Sequence, residues 1–241
     1  MPELVNIGAA TLGGILPALA WLWFWRREDS KHPEPRKLIA LAFFMGMVTI
    51  AVVIPIEKYV ASFITEQQFL LFSAGATTTL IFSAWSAIEE VTKYAAARFT
   101  VLRRREYDEP IDPVIYMVTV ALGFAAVENA LFLMSPLAGT TLVQTVRTGN
   151  LRFVGATLLH VLSSAVIGVT LGLSFYMSPR QKRWYVVIGV ILAVLLHSAF
   201  NFLILNTPEA RLLQTFALVW IGLVVLLAVL EWVKRTGPRR R

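Results

Sequence analysis

A chain of 241 residues, 57% hydrophobic and only 15% charged, with a mean hydropathy of +0.67, is too apolar for an ordinary soluble domain and indicates a polytopic membrane protein. It contains no cysteine, which excludes disulfides and thiolate chemistry. The net charge of +7 would suggest nucleic acid in a soluble protein. Here the basic residues lie between apolar stretches, so we predict a lipid bilayer and no nucleic-acid partner.

Seven apolar stretches approach or exceed the length of about 20 residues that a helix needs to cross the hydrocarbon core. In chain order they cover residues 5–25, 38–56, 69–96, 114–134, 151–177, 185–205 and 211–232. The first is predicted to be a retained span, and the third is long enough to continue into the cytoplasm. The connections are short. We therefore predict an all-α transmembrane helix bundle of about seven spans, forming one integral membrane domain over residues 1–241.

The basic residues predict the orientation of this bundle. The connections 26–37, 103–113 and 178–184, together with the C-terminal tail, contain sixteen Lys and Arg residues. The alternate connections, 57–68, 135–150 and 206–211, contain three. Because cytoplasmic loops carry the excess of Lys and Arg, we expect the N-terminus outside and the C-terminus in the cytoplasm.

Six ionisable residues remain well inside the predicted spans. They are Glu89, Glu90 and Lys93 on the third, Glu128 on the fourth, His160 on the fifth and His197 on the sixth. A charge at the bilayer centre costs at least about 2.5–3.5 kcal/mol on insertion scales. We therefore expect these side chains to face one another across one polar cavity. Arg98 and Arg152 lie near span ends, where a long side chain reaches the interface, and carry less weight.

Companion residues one helical turn away strengthen this pattern, because they share a helix face with the ionisable residues. The pairs are Glu89 with Lys93, Phe124 with Glu128 (followed by Asn129), His160 with Ser164, and His197 with Asn201. Taken singly, an intramembrane His or Asn often serves helix packing, and a Glu–Lys pair can be a structural ion pair. Their occurrence on four successive spans favours a functional site. Ser163 and Ser164 are the weakest candidates, since serine is common in helix packing.

Written as motifs, these residues are E-E-x-x-K at 89–93, F-x-x-x-E-N at 124–129, H-x-x-x-S at 160–164 and H-x-x-x-N at 197–201. In this order they resemble the PrsW family of intramembrane proteases, which is distantly related to the CAAX-type prenyl proteases. Those relatives typically show E-E-x-x-x-R and F-x-x-x-H, so Lys93 and Glu128 favour the PrsW branch. The resemblance covers about residues 70–205, the predicted catalytic core.

The resemblance implies a membrane-embedded endopeptidase in a prokaryotic cell membrane. Members of the family are associated with cutting single-span membrane proteins, including anti-sigma factors. We therefore expect a single-span membrane protein as the substrate partner.

Peptide hydrolysis requires an activated water, a proton for the leaving amine and a stabilised oxyanion. Two adjacent carboxylates in an apolar site repel each other, which makes one of them a better base. We assign Glu89 as the base, with Glu90 supporting it or sharing its proton, and Lys93 offsetting their repulsion. We expect His197 and Asn201 to donate to the oxyanion. In this hypothesis His160 orients the water or protonates the leaving group, and Glu128 holds one of the histidines.

Two alternatives stay open beside this mechanism, which needs no cofactor. His160, His197 and Glu128 form a reasonable ligand set for catalytic zinc, although the chain has no H-E-x-x-H motif. Intramembrane Glu, Lys and His residues are also typical of a proton-coupled transporter. The inverted repeats and broken helices common in transporters are not evident in spans three to six.

Overall fold

The computed structural model describes residues 2–28, 33–71, 74–134, 155–206 and 212–237, and every long regular element in these segments is an α-helix. The seven helices are α1 (Pro2–Glu28), α2 (Arg36–Leu71), α3 (Ala74–Thr100), α4 (Asp112–Met134), α5 (Ala156–Leu173), α6 (Pro179–Asn206) and α7 (Leu212–Lys234). Six of them are long and apolar enough to cross a membrane. The remaining described helix is α3, which carries Glu89, Glu90 and Lys93. The predicted all-α bundle of about seven spans is confirmed.

The predicted connection between the second and third spans is wrong. We expected residues 57–68 to form a connection, but α2 continues through Pro55 and Glu57 to Leu71. Opening a helix in an apolar environment leaves several backbone groups without partners, so one proline or one charged residue does not end it. The fifth predicted stretch also differs, since α5 ends at Leu173 and residues 151–154 lie outside the described segments.

Helix α4 lies at the centre of the bundle. It packs against α1, α2 and α5, and less extensively against α3. Its side chains are buried along almost its whole length. Helix α5 packs in turn against α6 and α7, while α3 contacts α2, α4, α5 and α6. The four motif-bearing helices, α3 to α6, therefore enclose a common interior.

Two glycines allow α2 and α4 to cross closely. A Cβ atom at Gly46 would meet the carbonyl oxygen of Val120, and a Cβ atom at Gly123 would meet the carbonyl oxygen of Phe43. Small residues at such crossings let helices in lipid bring their backbones together. The crossing holds α4 against α2 immediately before the F-x-x-x-E-N motif, which starts at Phe124.

The connection from α3 to α4 is tied to the start of α4. The Asp112 carboxylate accepts hydrogen bonds from the backbone N–H groups of Asp108 (2.9 Å) and Glu109 (2.6 Å). Tyr107 packs edge-on against Phe175, with ring centroids 5.2 Å apart. Burial raises the pKa of Tyr107 to about 12, so the phenol stays neutral. These contacts help to hold the end of α3 in a defined position relative to α4.

Candidate active site

Helix α3 contributes three charged side chains to the interior. The i+3 and i+4 spacing places Lys93 beside both glutamates, with Nζ 3.2 Å from Glu89 Oε2 and 2.9 Å from Glu90 Oε1. Lys93 and Glu90 are completely buried, while the Glu89 side chain keeps 9% of its surface exposed. A buried charge requires such partners, since each ion loses its hydration on burial.

Glu90 is enclosed by hydrogen-bond donors from three helices. Besides Lys93, its Oε1 atom accepts from His197 Nδ1 (2.9 Å) and from Ser163 Oγ (2.9 Å), whose hydroxyl it shares with the Leu159 carbonyl oxygen (3.0 Å). Its Oε2 atom accepts from Ser164 Oγ at 2.7 Å. Four donors match the approximate number of lone-pair sites on a carboxylate. Glu90 is therefore an ionised acceptor that holds its neighbours in place.

The partners of the two histidines determine their tautomers. The Lys93 ammonium lies 3.0 Å from His160 Nδ1, so that nitrogen accepts and the proton is on Nε2. His160 Nε2 then donates to Glu128 Oε2 at 2.8 Å. His197 uses Nδ1 to donate to Glu90, which leaves the lone pair on Nε2. Each histidine thus has one nitrogen bound to a carboxylate and one unprotonated.

Both unprotonated nitrogens lie close to Glu89. The distance to Glu89 Oε2 is 3.5 Å from His160 Nδ1 and 3.9 Å from His197 Nε2. The two imidazole rings are 5.0 Å apart and nearly perpendicular. The structure thus brings Glu89, Glu90, His160 and His197 into one cluster, with Glu128 behind His160.

Phe124 lies against this cluster. Its ring centroid is 4.1 Å from Lys93 Nζ and 5.2 Å from the His160 ring. The face of an aromatic ring attracts a cation, so Phe124 stabilises the ammonium where water is largely excluded. The first residue of the F-x-x-x-E-N motif therefore contacts two of the charged or polar residues that the other motifs supply.

The two asparagines contact neighbouring helices. Asn129 Nδ2 donates to Thr157 Oγ1 at 2.9 Å, which links α4 to α5. Asn201 Nδ2 lies 3.4 Å from Ser86 Oγ, which links α6 to α3 one turn from His197. Asn201 is adjacent to the cluster, and Asn129 lies on a separate contact.

Glu57 on α2 is a further carboxylate that the sequence analysis did not include. It is partly buried and lies within electrostatic range of Glu89, Glu128 and Lys93. Trp85 Nε1 donates to its backbone oxygen at 3.2 Å. We placed Glu57 in a connection because the apolar stretch breaks there. The apolar content of residues 59–64 was the signal that the helix continues.

The donor atoms of this cluster fit a metal ion. One ligand atom from each of Glu89, Glu90, His160 and His197 lies within 4.8 Å of the others. Tetrahedral zinc with bonds of about 2.0–2.1 Å places its ligand atoms about 3.4 Å apart, close to the 3.5 Å between Glu89 and His160. Metal-binding histidines typically donate their other nitrogen to a carboxylate. Glu128, which we predicted among the possible ligands, accepts a hydrogen bond from His160 Nε2 at 2.8 Å.

The chain matches the model of the PrsW family of intramembrane metalloproteases over residues 34–230. It belongs to this family. It is similar to Protease PrsW of Geobacillus kaustophilus, with 26% identity over 192 residues, 80% of this chain and 78% of the relative. It is also similar to Protease PrsW of Bacillus subtilis, with 23% identity over 191 residues, 79% of this chain and 80% of the relative. No solved structure matches the chain.

Membership of the PrsW family confirms the resemblance seen in the motifs and extends it on both sides of residues 70–205. All four motifs lie inside the matched range. Together with the six helices that can cross a membrane, it makes this chain an integral membrane protein of a protease family. The buried Glu–His cluster on α3, α5 and α6 is the candidate active site of this PrsW-family protein.

Proposed function

We propose that this protein is an intramembrane endopeptidase in which Glu89 activates the water that attacks the peptide bond. The observation that carries the proposal is the contrast between the two adjacent glutamates. Glu90 is fully buried and accepts from four donors, whereas Glu89 keeps an exposed edge and faces two unprotonated imidazole nitrogens. A base must reach its water, and this arrangement leaves that task to Glu89.

Glu89 and His197 are positioned to hold the attacking water. Glu89 Oε2 and His197 Nε2 are both acceptors and lie 3.9 Å apart, a separation that one water donating to both would bridge. Glu89 takes a proton from this water while the oxygen of the water bonds to the carbon of the scissile carbonyl group. The same proton then passes to the nitrogen of the leaving amine as the C–N bond breaks.

The positive charge of Lys93 stabilises the oxyanion that forms in this mechanism, because it lies 3.2 Å from the carboxylate beside which the reaction occurs. Asn201 lies one helical turn from His197, and its side-chain amide supplies a hydrogen-bond donor for the oxyanion. The donor role that we predicted for His197 requires a second proton on its ring. In the neutral tautomer, His197 orients the water as an acceptor.

A metal ion is the alternative at the same site, and the description of the family as metalloproteases supports it. Glu89, His160 Nδ1 and His197 Nε2 would hold the ion. When bound, a metal ion supplies a Lewis acid and makes a bound water acidic enough to act near neutral pH. Glu90 and Glu128 would then fix the orientation of the two histidines.

The remaining predictions about function belong to this proposal. The substrates are single-span membrane proteins of the anti-sigma-factor type, cut in a prokaryotic cell membrane by a catalytic core within residues 70–205. The bacterial origin of the similar proteins supports the location. The relatives are named Protease PrsW, which supports peptide-bond hydrolysis as the reaction.

The experiment is cleavage of a single-span reporter by the purified protein in liposomes. We expect Glu89→Gln to lower the cleavage rate by about 10²–10⁴-fold, the usual contribution of a general base. Glu66→Gln removes an equal charge from an exposed position on α2 and should cleave normally. Wild-type activity in Glu89→Gln would refute the proposed base.

Two further arms separate the alternatives. Loss of wild-type activity in a strong chelator, restored by added zinc, would assign the metal mechanism, and chelator resistance would assign the glutamate mechanism. The same liposomes report solute flux. Flux without cleavage would replace the protease assignment with the proton-coupled transporter.

A further inference from the structure

We propose that the Lys93 ammonium and a divalent metal ion compete for one position in the cluster, so that Lys93 sets the metal affinity of the protein. This inference rests on the proposed active site but not on which mechanism it uses. It assigns a specific task to the lysine of the E-E-x-x-K motif, beyond that of neutralising two carboxylates.

The position of the ammonium carries the argument. Lys93 Nζ lies 3.0 Å from His160 Nδ1, 3.2 Å from Glu89 Oε2 and 2.9 Å from Glu90 Oε1. These atoms belong to three of the four residues whose donor atoms converge on a possible metal position. The Lys93 ammonium thus donates hydrogen bonds to the atoms that would donate their lone pairs to a metal ion.

The two occupants exclude each other for a chemical reason. The lone pair of His160 Nδ1 accepts a hydrogen bond from Lys93 or bonds to a metal ion, but it cannot do both at once. A unit positive charge at this range also repels a dication strongly where water is excluded. A metal ion therefore enters only as Lys93 Nζ leaves His160.

The surroundings favour the state with Lys93 in place. Lys93 is fully buried, so its ammonium has no solvent to move into without a rearrangement of the side chain. The ring of Phe124, 4.1 Å from Nζ, stabilises the cation from a further side. Phe124 thereby influences metal binding through Lys93.

The experiment measures zinc affinity of the purified, detergent-solubilised protein by titration against a competing chelator. Lys93→Met keeps an unbranched side chain, shorter only by the terminal nitrogen, and removes its charge. We expect this variant to bind one zinc ion at least about a hundredfold more tightly than the wild type. Lys93→Arg keeps the charge and should remain weak. Lys234→Met removes the same charge from a solvent-exposed pair with Glu231 and should match the wild type.

Two additional variants test whether the zinc occupies the cluster. Adding His197→Ala to Lys93→Met should abolish the gained affinity, because it removes a ligand. Phe124→Leu should raise the affinity by a smaller factor than Lys93→Met. Gel filtration and thermal unfolding show that each variant is folded. Where Lys93→Met does not fold, Phe124→Leu alone decides, and an affinity equal to that of the wild type counts against the proposal.

Equal zinc affinities in the wild type and in a folded Lys93→Met protein would overturn the competition. The same holds if neither binds zinc. Either result is separate from the fate of the proposed function, which is decided by the cleavage assay with Glu89→Gln. If cleavage depends on Glu89 while Lys93 has no effect on zinc affinity, the proposed function stands and the competition between Lys93 and the metal ion is refuted.

Discussion

At the scale of single residues, two neighbours of the same type have different surroundings. Glu89 and Glu90 are about 100° apart around α3. That rotation turns Glu90 towards the serines of α5 and Nδ1 of His197, and leaves Glu89 at the edge of the cluster facing the unprotonated nitrogens. We infer that Glu90 is a positioning residue whose task is to hold His197 in one tautomer.

The serines of α5 provide a test of that task. Ser164→Ala removes the 2.7 Å hydrogen bond to Glu90 Oε2, and weakening the support of a buried carboxylate costs about 1–3 kcal/mol. We expect a lower melting temperature and a kcat reduced about tenfold, with KM unchanged because the serine does not touch substrate.

Ser164→Thr retains a hydroxyl group and should recover part of the lost rate. Ser62→Ala, at an exposed position on α2, controls for the loss of a helix hydroxyl as such. If Ser164→Ala lowers the stability but leaves kcat unchanged, Ser164 serves helix packing and does not position the site.

At the scale of elements, α3 differs from the other six described helices, because it is not among those that are long and apolar enough to cross a membrane. One face presents Glu90 and Lys93 to the interior, and the opposite face exposes Val91 and Phe99. The cost of its polar residues is offset by partners on α5 and α6, so α3 depends on the helices around it. The close crossing of α2 and α4 provides part of that frame.

We predict that Gly123→Ala disturbs the site from a distance. Its new Cβ would meet the Phe43 carbonyl oxygen, so α2 and α4 would have to separate, at a cost of about 1–3 kcal/mol. Since Phe124 and Glu128 follow on the same helix, cleavage should fall together with thermal stability.

Gly75→Ala is the matched control, because a Cβ atom at Gly75 on α3 meets nothing within 4 Å. It should match the wild type in both measurements. Wild-type stability and cleavage in Gly123→Ala would show that the crossing adjusts without moving α4, contrary to this account of how the site is positioned.

At the scale of the whole molecule, the distribution of basic residues leads to a proposed orientation. Sixteen Lys and Arg residues lie in one alternate set of predicted connections and the tail. The other predicted set contains three, of which Lys58 lies within α2. We predict a cytoplasmic C-terminus. A dual reporter fused after Arg241 should be active only in its cytoplasmic form.

A reporter inserted in the connection 135–150 is the internal comparison and should be active only in its external form. That segment lies outside the described residues, so the insertion tests topology independently of the structure. An externally active C-terminal fusion would require the opposite orientation or an even number of spans.

The amino-acid sequence by itself determined the membrane environment, the all-helical architecture of the described residues and the residues that had to meet. Helix length and apolar content depend on local composition, and the cost of a charge in lipid holds for any fold. These two facts predicted that Glu89, Glu128, His160 and His197 share one interior. The ordered motifs were sufficient for the family, which the match over residues 34–230 confirms.

The tertiary structure decided which atoms of those residues meet. The contacts that define the tautomers join Lys93 to His160 across 67 positions and Glu90 to His197 across 107, and no local pattern specifies such pairings. The same limit hid Glu57 and the contact of Glu128 with Nε2 of His160. Periodicity predicts which face of a helix turns inward, but only the packed neighbours determine which lone pair remains free for chemistry.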